Sequence, residues 1–218
     1  MKKAILLFAS ISSAIFLNAQ NFNWGVRAGL NVSSLGDYEL SMTQNQDSEL
    51  GSKVGPYAGI FGQFKLYKNL GLETGLFYSQ LGGKDKENDY DNGYLEQYKI
   101  EGNSSYLQLP VTLHYKFNII KSLSIYPSLG VYAGYGLAGK IKTLENIGGV
   151  NVDSSEDYFK DFNRFDFGAA MGLNVEYRKF ILGFHYDRGF TRVNEEEVIF
   201  GDNAYNSNFR VALSYMFR

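Results

Sequence analysis

Residues 164–190 read RFDFGAAMGLNVEYRKFILGFHYDRGF and alternate by parity over almost their whole length. Phe165, Phe167, Ala169, Met171, Leu173, Val175 and Tyr177 share one parity. Asp166, Gly168, Ala170, Gly172, Asn174 and Glu176 hold the other. After Arg178-Lys179 the rhythm resumes, with Phe180, Leu182, Phe184 and Tyr186 against Gly183, His185, Asp187 and Gly189. Successive side chains of a β-strand point to opposite faces, so this is a pair of strands joined by a tight turn. Such a chain must choose what its greasy face meets. A soluble barrel turns that face inward, and a membrane barrel turns it outward.

The same period of two marks eight segments: Asn23 to Val32, Val54 to Leu66, Leu70 to Leu81, Ser105 to Phe117, Leu123 to Leu137, Phe165 to Tyr177, Phe180 to Asp187 and Asn208 to Phe217. Most reach the roughly 9–11 residues that cross a bilayer core when tilted. The links after the second, fourth and sixth segments are short: 67–69, 118–122 and 178–179. The other links, 33–53, 82–104, 138–164 and 188–207, are long and rich in Asp, Asn, Glu, Gly and Lys. The expected fold is all-β, an eight-stranded antiparallel up-and-down transmembrane β-barrel. In barrels of the outer membrane the short turns are periplasmic and the long loops extracellular.

The two faces differ in kind. The greasy parity carries no charge within these spans, as a lipid-facing surface requires, because Lys or Arg at mid-bilayer costs about 2–4 kcal/mol. The opposite parity collects Gly25, Gly29, Gly55, Gly59, Gly71, Gly75, Gly130, Gly134, Gly136, Gly168, Gly172 and Gly183, whereas Gly62 sits on the greasy side. Glycine weakens a water-facing strand and suits a crowded, curved interior, so the glycine face is read as the lumen. A soluble lipocalin-like barrel, the structural rival, would put that face outside. Aromatics near segment ends, Trp24, Tyr78, Tyr115, Phe117, Tyr177, Phe180, Tyr215 and Phe217, fit interfacial girdles.

The lumen parity also carries charges: Arg27, Lys65, Lys116 and Arg210 against Glu73, Asp166, Glu176 and Asp187, with His114 and His185 among them. Enclosed charges have to pair. By strand direction Arg27, Lys65, Glu73, Lys116 and Glu176 fall toward the short turns, and Asp166, Asp187 and Arg210 toward the long loops. Arg210 is expected to pair with Asp187 or Asp166.

Composition narrows the rest. Lys2-Lys3, the apolar run Ala4 to Leu17 and Leu17-Asn18-Ala19 before Gln20 read as a secretory signal over 1–19, with the barrel domain over 20–218. The absence of cysteine excludes disulfides, thiolate zinc sites, thiol catalysis and an N-terminal lipid-bearing Cys. A net charge of −2 without a basic run leaves no nucleic-acid footprint. His185 and Asp187 allow a hydrolytic site in a lipid-modifying enzyme, although paired lumen charges are the simpler reading. ENDYDNGYLE, 87–96, alternates acids as calcium loops do, but Gly93 takes a ligand position. Glu195-Glu196-Glu197 reads as a solvated loop or a divalent-cation bridge to lipid phosphates. No catalytic, cofactor or metal set is expected, and a small channel is the other alternative.

GPYAGIFGQFKLYKNLGLETGLFYSQLGGK (55–84), SYLQLPVTLHYKF (105–117), RFDFGAAMGLNVEYRKF (164–180) and NFRVALSYMF near the end resemble, in that order, the PorT-like outer-membrane β-barrel family of Bacteroidota. The resemblance implies an eight-stranded barrel in the cell outer membrane of a Gram-negative bacterium. It implies no catalytic residues, and for some relatives it implies service in type IX protein secretion and gliding. Edge-free closure and a filled lumen leave the extracellular loops as the binding surface, so the expected function is a non-enzymatic structural or interaction component whose partners are proteins at those loops, outer-membrane lipid, and the barrel assembly machinery through the C-terminal strand. Phe217 would serve assembly, though here Arg218 follows it.

Overall fold

A computed structural model describes residues 22–35, 51–91, 94–147, 150–157, 159, 163–192 and 205–217. The signal segment 1–19, much of the links 33–53 and 188–207, and Glu195-Glu196-Glu197 lie outside the described residues. Ten strands are described: β1 (Phe22–Leu35), β2 (Gly51–Tyr67), β3 (Leu70–Asp91), β4 (Tyr94–Tyr115), β5 (Phe117–Ile120), β6 (Leu123–Ile147), β7 (Val150–Asp157), β8 (Phe165–Tyr177), β9 (Phe180–Gly189) and β10 (Asn206–Phe217). Eight of them form a ring in the order β4-β3-β2-β1-β10-β9-β8-β6, and β6 pairs back to β4. Every pairing is antiparallel, and β1 meets β10 at the seam from Trp24↔Phe217 to Leu35↔Asn206.

Two short turns show how the chain reverses. Tyr67↔Leu70 and Tyr177↔Phe180 face each other across two-residue links. Lys68 (φ 50°) and Arg178 (φ 57°) occupy the left-handed region, as tight hairpin turns demand of a central residue. The third turn differs: Lys116 breaks the strand, and β5 continues it as a short hairpin with β6.

Two of the expected long loops are in fact strand, at least in large part. β3 and β4 pair without a break from Gly82↔Asn103 up to Asp91↔Tyr94. β6 runs on beside β4 to Asn146↔Gln97 and folds back into β7. The described parts of links 82–104 and 138–164 therefore build a raised wall of β3, β4, β6 and β7. The alternation that marks a half-buried strand fades there, since a wall in water has no greasy face to declare. β3, β4 and β6 hold 22, 22 and 25 residues, whereas β8, β9 and β10 hold 13, 10 and 12.

Burial follows parity around the ring. Leu30, Val54, Ile60, Leu129 and Leu213 are exposed on the outside, the last at 56%. Tyr57, Phe61, Phe77, Tyr126, Ile181, Ala212 and Met216 form one buried cluster inside. Among the described residues, outer rings near the short turns gather in three groups of a girdle: Phe22–Phe64, the chain Trp24–Phe217–Tyr215–Phe180, and Tyr115–Phe117, with centroids within 5.3 Å.

Candidate functional site

The lumen is the place where this sheet brings polar chemistry together. Its packing rests on glycines that face aromatic rings. A Cβ on Gly25 would stand 2.7 Å from the Phe61 ring, and one on Gly75 would stand 2.5 Å from the Phe77 ring. The small residue on one strand makes room for the large one on the next, and eight strands leave space for little more than such side chains. Tyr57, Phe61, Phe77, Tyr106, Tyr126 and Tyr132 join the expected glycines as lumen residues. Their signal was present, because GPYAGIFG places Tyr57 and Phe61 on the same parity as Gly55 and Gly59.

Toward the short turns, Arg27 grips Glu73 with both ends of its guanidinium, Nη1 to Oε1 at 2.8 Å and Nη2 to Oε2 at 3.1 Å. Its Nε donates to Ser214 Oγ at 2.8 Å, and its plane lies 4.6 Å from the Phe61 ring centre. A forked guanidinium suits such a bidentate carboxylate better than an ammonium does. Gln63 Nε2 donates to Glu73 Oε2 at 2.9 Å and to the Tyr126 hydroxyl at 3.2 Å. The Gln63 carbonyl oxygen accepts from Lys116 Nζ at 2.8 Å, and Lys116 also reaches Glu176 Oε2 at 2.7 Å. Gln63 thus links both ion pairs into one network joining β1, β2, β3, β8 and β10. His114 is buried beside it, its ring 5.1 Å from Tyr126.

Toward the long loops the arrangement is sparser. Arg210 Nη1 lies 3.0 Å from Asp187 Oδ2, and Nη2 donates to Oδ1 at 3.3 Å. The guanidinium stands 4.1 Å over Tyr57, which stacks on Phe77. Asn208 Nδ2 donates to Asn31 Oδ1, and Asn31 Nδ2 donates to Ser79 Oγ at 2.9 Å.

Two of the eight expected charges depart from a lumen of matched pairs. Lys65 keeps its lumen parity, in register with Gly71, but is exposed at the short-turn rim because it stands at the end of β2 beside the hairpin turn. Asp166 is buried but meets neutral donors, the Tyr132 hydroxyl and the Asn206 amide, both at 2.9 Å. Its expected alternative partner, Arg210, is engaged by Asp187. Lys65 and Asp166 thus lie at opposite ends of the barrel. The histidine singled out for hydrolysis, His185, sits opposite Arg210 and Gly172 in the wall. Among the described residues no hydrogen bond joins His185 to Asp187, whose carboxylate is turned to Arg210. The ENDYDNGYLE stretch belongs to the β3–β4 hairpin, with its side chains outside the description.

A closed eight-stranded sheet, apolar outside and polar inside, defines a β-barrel of the outer-membrane class. Family comparison agrees: the model described as outer membrane protein beta-barrel domain matches residues 18–195, and the chain belongs to that family. Among solved structures it is similar to Ail, the attachment invasion locus protein of Yersinia pestis. The identity is 13% over 89% of this chain and 98% of that one, with a TM-score of 0.43. It is also similar to OprG of Pseudomonas aeruginosa, at 12% identity over 90% and 96% with a TM-score of 0.46. Neisserial surface protein A shows 14% identity over 90% and 97% with a TM-score of 0.36. No curated protein matches the sequence. The protein is placed in the outer membrane by its family.

Proposed function

We propose that this protein is a non-enzymatic interaction component of the outer membrane whose contact surface is the raised wall on the long-loop side. The observation that carries the reading is the length of β3, β4 and β6, which stay paired far beyond the residues a bilayer needs. Among the described residues β7 pairs only with β6, and β3 beyond Lys84 pairs only with β4. Edges of this kind accept an added strand from a partner. A lumen filled by rings and ion pairs supports a contact role over conduction, and planar-bilayer recording tests that by the absence of steady large conductance.

The direct test compares the full chain with a variant in which the hairpin tips 85–100 and 141–156 are replaced by short turns. Both are crosslinked in native membranes, and partners are identified by mass spectrometry. The variant is expected to keep the heat-sensitive electrophoretic shift of a folded barrel while losing specific crosslinks. Identical crosslinked proteins from both would reject the wall as the contact surface. The resemblance to PorT-like barrels supports type IX secretion as the pathway, and secretion-machine subunits among the crosslinked proteins would assign it. Residues 1–19 act as the secretory signal, tested by N-terminal sequencing of the mature protein. Phe217 serves recognition by the assembly machinery, tested by membrane yield of Phe217→Ser.

A further inference from the structure

Gly62 stands apart from the other strand glycines, because its parity puts it on the lipid face. The ring of Phe22 lies over it, with Cε2 2.5 Å from where a Cβ would stand. Phe22 packs in turn on Phe64, centroids 4.7 Å apart. With Trp24, Ile60 and Leu76, these residues line an apolar groove of about 620 Å³ on the outer wall of β1, β2 and β3. Phe64 also borders a second cavity, of about 200 Å³, toward the short turn.

The second cavity has the opposite chemistry. Lys65, Lys68 and Asn69 of the β2–β3 hairpin line it with Asn23 of β1, and among the described residues no carboxylate lines it. Lys116 borders it as well, already bonded to Glu176. Gln63, Gly71 and His114 from the lumen face and Phe64 from the lipid face share its wall, so the cavity is the short-turn mouth of the lumen and reaches the outer rim at Phe64. Cations on this rim sit over girdle rings: Lys68 of the cavity itself over Tyr67 at 5.1 Å, and elsewhere Arg178 over Tyr177 at 5.4 Å and Lys179 over Tyr215 at 5.9 Å. Girdle aromatics mark the headgroup level, so these charges stand beside lipid phosphates.

We propose that the two cavities form one site for an anionic glycerophospholipid of the short-turn leaflet, its phosphate held by Lys65 and Lys68 and its acyl chain lying along the groove beneath Gly62. Lipid surrounds every outer residue, so the groove gives shape but little preference among lipids. Preference falls to the lysines. A zwitterionic headgroup brings its own cation toward them, and a phosphatidylglycerol headgroup does not. The site depends on the barrel's place in the membrane and is independent of any partner on the raised wall.

The test titrates the purified barrel in neutral detergent with phosphatidylglycerol, with phosphatidylcholine of the same chains, and with glycerol 1-phosphate alone. Retained ligand is read by native mass spectrometry. Each lysine near a membrane surface strengthens anionic-lipid binding about fivefold, so a preference for phosphatidylglycerol of roughly thirtyfold is expected from two. The double substitution K65Q/K68Q, at two exposed positions, should erase it. K121Q/R178Q removes equal charge at other turns and should leave it intact. The proposal is overturned if the unsubstituted protein shows no preference, or if K65Q/K68Q keeps it. Equal loss in K121Q/R178Q would mean a diffuse basic rim and no site. Glycerol 1-phosphate retained as tightly as the lipid would mean a free phosphate as ligand, with the groove uninvolved.

Discussion

In the short-turn half of the lumen, Arg27, Glu73, Lys116 and Glu176 are matched in pairs and bridged by Gln63. In the long-loop half, Arg210 and Asp187 pair at longer distances, and buried Asp166 meets only neutral donors. Orphaned buried atoms follow the same gradient. Tyr106 Oη, Asp166 Oδ1, His185 Nε2, Asn208 Oδ1 and Arg210 Nε find no hydrogen-bond partner among the described residues in the middle and long-loop half, against His114 Nδ1 and Asn174 Oδ1 near the short turns. An unpartnered buried polar atom costs about 1–3 kcal/mol, so the two halves hold their strands with unequal force. The contrast separates a tightly cross-linked floor from a looser upper chamber beneath the raised wall.

The strongest challenge to this contrast is Glu73→Ala. It leaves Arg27 buried without its carboxylate and should lower unfolding free energy by about 3–5 kcal/mol, measured by urea titration in lipid vesicles. Replacing both partners, as R27M/E73L, should restore most of the loss, since the pair's removal takes the desolvation cost with it. A single substitution as mild as a surface change would show the floor to be no tighter than the chamber above.

Asp187→Asn makes the matching cut above. The amide oxygen still accepts from Arg210, so the expected loss is about 2 kcal/mol in the same titration. Between the halves lies Phe77, which stacks on Tyr57 above and faces Arg27 at 5.6 Å below. Gly75→Ala presses a methyl group against that ring and against the Ile60 carbonyl oxygen, each 2.5 Å from where the Cβ would stand, and should cost about 1–2 kcal/mol by overpacking, of which Phe77→Leu as a second change relieves only the ring's share. The smallest effect has the opposite sign. Asp166→Asn removes a buried charge that lacks a cation and should raise stability by about 1 kcal/mol. A loss there as large as that of Asp187→Asn would show that Asp166 is held as firmly as a paired charge.

Parity alone revealed the ring strands, because lipid on one side and a crowded lumen on the other leave a two-residue rhythm in residues such as Phe165 to Tyr177. It could not reveal the raised wall. In KDKENDYD and YLEQYKIEG both faces are rich in polar residues, so strand and loop look alike. The charges were legible as lumen residues by position along each strand, and their depth limited the possible partners. Which partner each took depended on distance across the tube. Lys116 meets Glu176 although β4 and β8 are not neighbours in the ring, a relation set by strand stagger and invisible in sequence spacing. Lys65 holds the expected lumen parity and the expected short-turn depth, but so close to the turn that its side chain is exposed at the mouth.

The seam between β1 and β10 joins the two ends of the described chain. Arg27 fastens across it to Ser214, a partner 187 positions later, while its guanidinium holds Glu73 on β3. An emerging polypeptide therefore cannot complete this clasp until its final strand arrives, and contacts so distant along the chain form slowly. Until then the cation on the first strand waits at an open edge, which makes the last dozen residues the latch of the whole tube.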